Sequence, residues 1–132
     1  MSKKLGVIGG LGPLASAYFY EMICRMTDAR IDQEHLDLVI ISKSSTPDRT
    51  EYMLGKNNDS PLPHLKEAGK DLERMGVDYI VIPCITAHYF YKDLSDNIKV
   101  PIIHIIKETA QYLKDRGVKS AGIMATEGTV KS

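Results

Sequence analysis

Short apolar runs alternate with amphipathic stretches along the whole of this chain, and that alternation restricts its fold more than any other feature. Residues 5–8, 36–41, 78–82, 100–104 and 120–125 read as strands. Pro13 suits the first turn of a helix reaching about Thr27, with Ala15, Phe19, Met22, Ile23 and Met26 on one side. Leu65, Ala68, Leu72 and Met75 recur at the spacing of one helix face, after a Ser60-Pro61 start and before a Gly76 stop. A further helix runs from the Cys84 turn to about Leu94, and another ends near Arg116 with Gly117 as its stop. Strands alternating with helices call for an open parallel sheet with right-handed crossovers and helices on both faces. The predicted fold is therefore α/β, a three-layer sandwich of the flavodoxin-like or Rossmann-like kind.

In such a sheet, ligands bind beyond the carboxyl ends of the strands. The loops at that edge are 9–12, 42–50, 84–88, the start of the helix after His104, and 126–129. Each chemically suggestive residue falls in one of them. Cys84 follows Pro83 at a strand-to-helix turn, where the positive end of a helix favours a thiolate. Thr86 stands two residues on, with a hydroxyl able to bind a ligand or cap the helix. His88, one turn beyond Cys84, is within reach of it as a base, although histidines more often cap or sit at the surface. Arg49 lies in the loop Pro47-Asp48-Arg49-Thr50, where a guanidinium can grip a carboxylate with two parallel bonds. Cys24 is mid-helix and reads as a packing cysteine.

Gly10-x-Gly12-x-x-Ala15 follows a strand and opens a helix, as a dinucleotide fingerprint does. The fingerprint also needs an acid at the end of the second strand, and this chain has Ile40-Ile41-Ser42-Lys43 there. The turn is better read as a cradle for a small anion such as a carboxylate. His35, His64 and His104 have no metal-ligand spacing, so no metal site is expected.

Composition excludes other classes. The 132 residues carry 17 basic and 17 acidic side chains, which gives no electrostatic case for nucleic acid or an anionic membrane. Two cysteines make no disulfide framework and point to a reducing compartment. The first apolar stretch is broken by glycines and Pro13, unlike a signal sequence, and no run is long enough to span a bilayer. A cytoplasmic protein is expected.

These residues together resemble the aspartate/glutamate racemase family, and aspartate racemases most. The resemblance rests on Gly6-Val-Ile-Gly-Gly-Leu-Gly-Pro13, Asp32-Gln-Glu-His35, Pro47-Asp-Arg-Thr50, Pro83-Cys-Ile-Thr-Ala-His88 and Ala125-Thr-Glu-Gly-Thr129, in the family's order. It implies two similar α/β domains with the active site between them, no pyridoxal phosphate and no metal. One cysteine from each domain faces the substrate Cα. One thiolate removes the proton, and the other thiol returns one on the opposite face. By resemblance Cys84 is the first of these, Arg49 holds substrate carboxylate, and Thr86 with Gly10, Leu11 and Gly12 lies near the substrate. Ile85, which replaces the family's usual asparagine, and Thr126 are counted with them as candidate substrate contacts. The implied partner is a small dicarboxylic amino acid.

Gly6-Val7-Ile8-Gly9-Gly10-Leu11-Gly12-Pro13 also aligns with Gly122-Ile123-Met124-Ala125-Thr126-Glu127-Gly128-Thr129 at a constant offset of 116 residues. If this is a duplication, residues 1–118 form one domain and 119–132 the first strand and turn of a truncated second, and the counterpart of Cys84 falls beyond Ser132. The expectation is then a cofactor-independent amino-acid racemase lacking its second catalytic cysteine. The alternative is a carboxylate-binding domain derived from a racemase and without turnover; a flavodoxin-like or dinucleotide-binding domain is a third, weaker reading. The segment from Ser120 is expected to fray or to borrow a surface from a second copy of the chain, as a homodimer, through exposed Ile123 and Met124.

Overall fold

A computed structural model describes residues 3–132 of the chain. Strands β1 (Lys4–Gly9), β2 (Asp37–Ser42) and β3 (Tyr79–Val81) form a parallel sheet in the order β2-β1-β3. Lys4 pairs with Asp37 and Gly9 with Ser42 on one side of β1; Leu5 pairs with Tyr79 and Val7 with Val81 on the other. The helices are α1 (Pro13–Met26), α2 (Arg49–Met53), α3 (Leu62–Arg74), α4 (Tyr91–Asn97), α5 (Ile105–Asp115) and α6 (Glu127–Lys131).

The strand expected over 100–104 is reduced to one parallel bridge between Ile80 and Ile102. Ile80 N–H donates to the Pro101 carbonyl at 2.9 Å, and Ile103 N–H donates to Ile80 at 2.8 Å. Pro101 has no N–H to extend the ladder, and Pro83 likewise follows the end of β3. The Tyr91 hydroxyl donates to the Ile102 carbonyl at 3.1 Å and fastens this segment to α4.

The main core lies on one face of the sheet. Ile8, Ile80 and Ile82 meet Leu65, Ala68 and Leu72 of α3, with Phe90, Leu94 and Ile98 completing the cluster. The helical spacing of 65, 68 and 72 therefore marks the buried face, and burying each leucine contributes about 1.5–3 kcal/mol. Met75, expected on that face, is 52% exposed because α3 has already ended at Arg74.

Helix α1 covers the opposite face with a different stripe from the one its apolar residues suggest. Ser16 is buried and Phe19 and Ile23 are half-buried, whereas Ala15, Met22 and Met26 are exposed. A polar anchor sets the rotation: the Ser16 hydroxyl accepts from Gly10 N–H at 2.9 Å, which turns residues 16, 19 and 23 toward the strands.

The strand expected over 120–125 is not formed. Among the described residues, 119–125 make no backbone–backbone hydrogen bond, and Ile123 and Met124 are 79% and 101% exposed. A parallel strand needs a neighbour with free edge groups, and this segment meets none here. The aligned stretch Gly6 to Gly9 sits in the sheet, so the two halves of the sequence alignment differ in structure. Helix α5 is amphipathic in sequence yet buries no residue.

Candidate active site

The turns after β1, β2 and β3 meet at one edge of the sheet. The first is built for close backbone approach. Gly10 has φ +86°, and a Cβ there would lie 2.5 Å from Lys43 N. Lys43 N–H donates to the Gly9 carbonyl at 3.1 Å, tying this turn to the end of β2. Gly10 N–H is spent on Ser16, and Leu11 is 5% exposed within the core cluster. In this structure the Gly10 N–H is engaged within the fold and the Leu11 side chain is turned into the core. Gly10 and Leu11 are buried, and Gly12 is open at the rim. Ser16 was missed in the sequence because a serine inside an apolar helix looks like a neutral position.

The loop after β2 folds Arg49 back over itself. Thr46 is buried, and its hydroxyl donates to the Lys43 carbonyl at 2.7 Å. Asp48 caps α2, accepting from Glu51 N–H at 2.8 Å. Arg49 is then the first helical residue, and its Nη1 donates to the Pro47 carbonyl at 3.1 Å. Its Nε is buried with no partner. One edge of the guanidinium holds the loop while a donor remains unspent, and an unmet buried donor costs about 1–3 kcal/mol.

Beyond β3, Cys84 N–H donates to the Ile82 carbonyl at 2.7 Å across Pro83, a tight turn that lifts the cysteine out of the sheet. Cys84 is a free, half-buried thiol. The helix expected directly after it begins as a 3₁₀ turn, Thr86–Phe90, before α4. A single tight turn aligns fewer peptide dipoles than a long helix, so the charge argument made for the thiolate is correspondingly smaller.

Both ring nitrogens of His88 meet backbone groups. Its Nδ1 lies 2.9 Å from the Cys84 carbonyl oxygen, and its Nε2 accepts from Ile105 N–H at 3.4 Å. With Nε2 accepting, the proton sits on Nδ1 and is donated to that carbonyl. Burial pushes the imidazole below its ordinary range, against the raising effect of the Cys84 carbonyl. The ring is a neutral pin that ties the Cys84 turn to the start of α5.

Three hydroxyls close the site. Thr86 Oγ1 is 2.9 Å from Thr126 Oγ1 and 2.8 Å from Thr129 Oγ1, and the latter two are 3.2 Å apart. Thr126 also caps α6, accepting from Thr129 N–H at 3.4 Å. Beside them Gly128 is buried against α2; a Cβ there would lie 2.8 Å from Thr50 Oγ1 and 3.1 Å from Thr50 Cα. Residues 126–129 thus bridge the cysteine turn to the arginine helix. Thr50, Gly128 and Thr129 were not foreseen as site residues, although all three stand within the segments Pro47 to Thr50 and Ala125 to Thr129. Ile85, next to the thiol, is 43% exposed.

Among the described residues, no three His, Cys, Asp or Glu side chains converge as metal ligands. No described helix is long and apolar enough to cross a membrane.

The Asp/Glu/Hydantoin racemase family model matches residues 8–132. A curated relative, the broad specificity amino-acid racemase RacX of Bacillus subtilis (strain 168), is 27% identical over 97% of this chain and 56% of its own length. The solved structure of Picrophilus torridus aspartate racemase is 36% identical, with a TM-score of 0.92 over 98% of this chain and 55% of that one. An aspartate racemase homologue from Pyrococcus horikoshii OT3 is 26% identical, with a TM-score of 0.72 over 87% of this chain and 50% of that one. The chain spans about half the length of the relatives it matches.

Proposed function

The chain belongs to the Asp/Glu/Hydantoin racemase family, and we propose that it supplies the first thiol and the carboxylate grip of a cofactor-independent amino-acid racemase acting on aspartate or glutamate. The observation that carries this reading is the shared edge: a free Cys84 thiol and an Arg49 guanidinium with an unspent donor follow β3 and β2, the two strands that flank β1 in one sheet.

In this mechanism Arg49 binds the substrate α-carboxylate. Cys84, as thiolate, takes the Cα proton, forming S–H as the C–H bond breaks. The electron pair moves into the carboxylate, where the guanidinium opposes the growing charge. Reprotonation on the opposite face gives the other enantiomer and needs a second thiol. Cys24 is not that thiol, since it lies beside Leu36 and Leu38 at the amino edge of the sheet. His88 is not the base either, since both ring nitrogens are engaged with backbone. The second thiol comes from a unit outside these residues, and residues 119–132 are read as the start of that unit. Thr86, Thr126 and Thr129 present hydroxyls toward the substrate's polar groups, with Ile85 and Gly12 at the rim.

Incubation with L-aspartate or L-glutamate in D₂O, followed by NMR and chiral chromatography, tests the reading. Deuterium at Cα without D-amino acid is expected from this chain alone, and it should vanish in Cys84→Ser. Binding with no exchange at all would favour the second reading, a carboxylate-binding domain without turnover, to which the lone thiol of this edge also points.

A further inference from the structure

A cavity lies away from the Cys84 edge, and nothing in the racemase reading uses it. It has a volume of about 280 Å³ and is lined by Tyr20, Ile23 and Cys24 of α1, Asp32 and His35, and Leu36 and Leu38 at the start of β2. Its size is at the low end for small-molecule sites. Its walls are of two kinds. Ile23, Leu36 and Leu38 give an apolar floor, and the Tyr20 ring gives an aromatic side. The polar groups come from a single 3₁₀ turn, Asp32–Glu34, closed by His35 N–H donating to the Asp32 carbonyl at 3.2 Å. Side chains three apart eclipse in such a turn, which places Asp32 and His35 over one opening.

Two features indicate a ligand. His35 Nδ1 is buried and has no hydrogen-bond partner. The Asp32 carboxylate has no ion-pair partner among the described residues. A buried ring nitrogen left unmet is costly, and a carboxylate at the mouth of a cavity with an apolar floor selects for positive charge. In the tautomer that carries its proton on Nε2, an imidazole offers Nδ1 as an acceptor. The set is then two acceptors, one of them anionic, beside an aromatic face and an apolar floor. A metal does not fit, because among the described residues no three His, Cys, Asp or Glu side chains group as ligands. A primary ammonium does: it donates to Asp32 and His35, and its charge is attracted to the Tyr20 ring.

We propose that this cavity binds a small organic ammonium with an apolar body, of the size of an arylalkylamine, at a site independent of Cys84.

The probe is benzylamine, titrated at millimolar concentration into ¹⁵N-labelled chain, with benzyl alcohol as its neutral counterpart. Saturable shifts are expected at Tyr20, Cys24 and residues 32–38, unchanged by L-aspartate, with benzyl alcohol much weaker. Asp32→Asn should lower benzylamine affinity about tenfold, the loss of one charge-assisted contact. Equal binding of amine and alcohol would overturn the proposal without any variant. So would the absence of saturable shifts, or shifts centred on Cys84 to Thr86 that L-aspartate displaces. Because the readout sits far from Cys84, it stands or falls separately from the racemase reading.

Discussion

The His88 ring holds the backbone carbonyl of Cys84, with Nδ1 to oxygen at 2.9 Å. The residue four positions from a candidate nucleophile thus shapes the turn that presents it. That contact has a pH signature.

Burial lowers the proton affinity of His88 in the folded chain below its ordinary value of 6.5. Below that value the unfolded chain binds more protons than the folded one, so stability falls as pH falls. The His88 contribution should be complete above about pH 6.5 and lost as pH drops through the folded value. Urea midpoints between about pH 7 and 5 should therefore decline in the wild type and flatten in His88→Gln. Equal slopes would mean that His88 titrates freely.

Thr86 is the hub of the hydroxyl cluster. Thr86→Val removes its bonds to Thr126 and Thr129 while leaving those two bonded to each other. A loss of about 1 kcal/mol per bond is expected, seen as faster amide exchange over residues 127–131 with the core unchanged. Gly128→Ala should release the same helix, by driving a methyl group into Thr50. The double variant should be no worse than the more severe single one, because both open one contact.

Arg49→Lys should weaken L-aspartate binding by about 1–3 kcal/mol in calorimetry, the range for a charged hydrogen bond. An ammonium cannot hold the Pro47 carbonyl and a carboxylate with one planar fork. Matching affinities would place the carboxylate elsewhere.

Gly10→Ala combines a left-handed backbone with a Cβ driven against Lys43 N. We expect a cost of about 2–4 kcal/mol from thermal or urea unfolding. A near-neutral result would show that the turn relaxes away from β2.

The parallel sheet and the helical face of Leu65, Ala68 and Leu72 were legible because burial imposes periodicity on sequence. The common edge of Cys84, Arg49 and Thr86 followed from topology alone. What remained hidden depended on single polar atoms. No apolar pattern announces that Ser16 takes the Gly10 N–H, yet that bond rotates α1 and ties it to the first turn. Residues 120–125 have the composition of a strand, but a strand exists only where another offers its edge. His88 showed its spacing from Cys84, while which atom it meets was a matter of ring orientation.

The threonine cluster fixes α6 at the far end of the hydrogen-bond-free span 119–125. Its weak contacts are made by a tethered partner, so they act at a high effective concentration set by the length of the tether. Cutting that span would turn docking into a bimolecular event. Bonds that suffice within one chain would then fail at ordinary protein concentrations, and a single nick between Gly117 and Thr126 would be enough to open the hydroxyl side of the site.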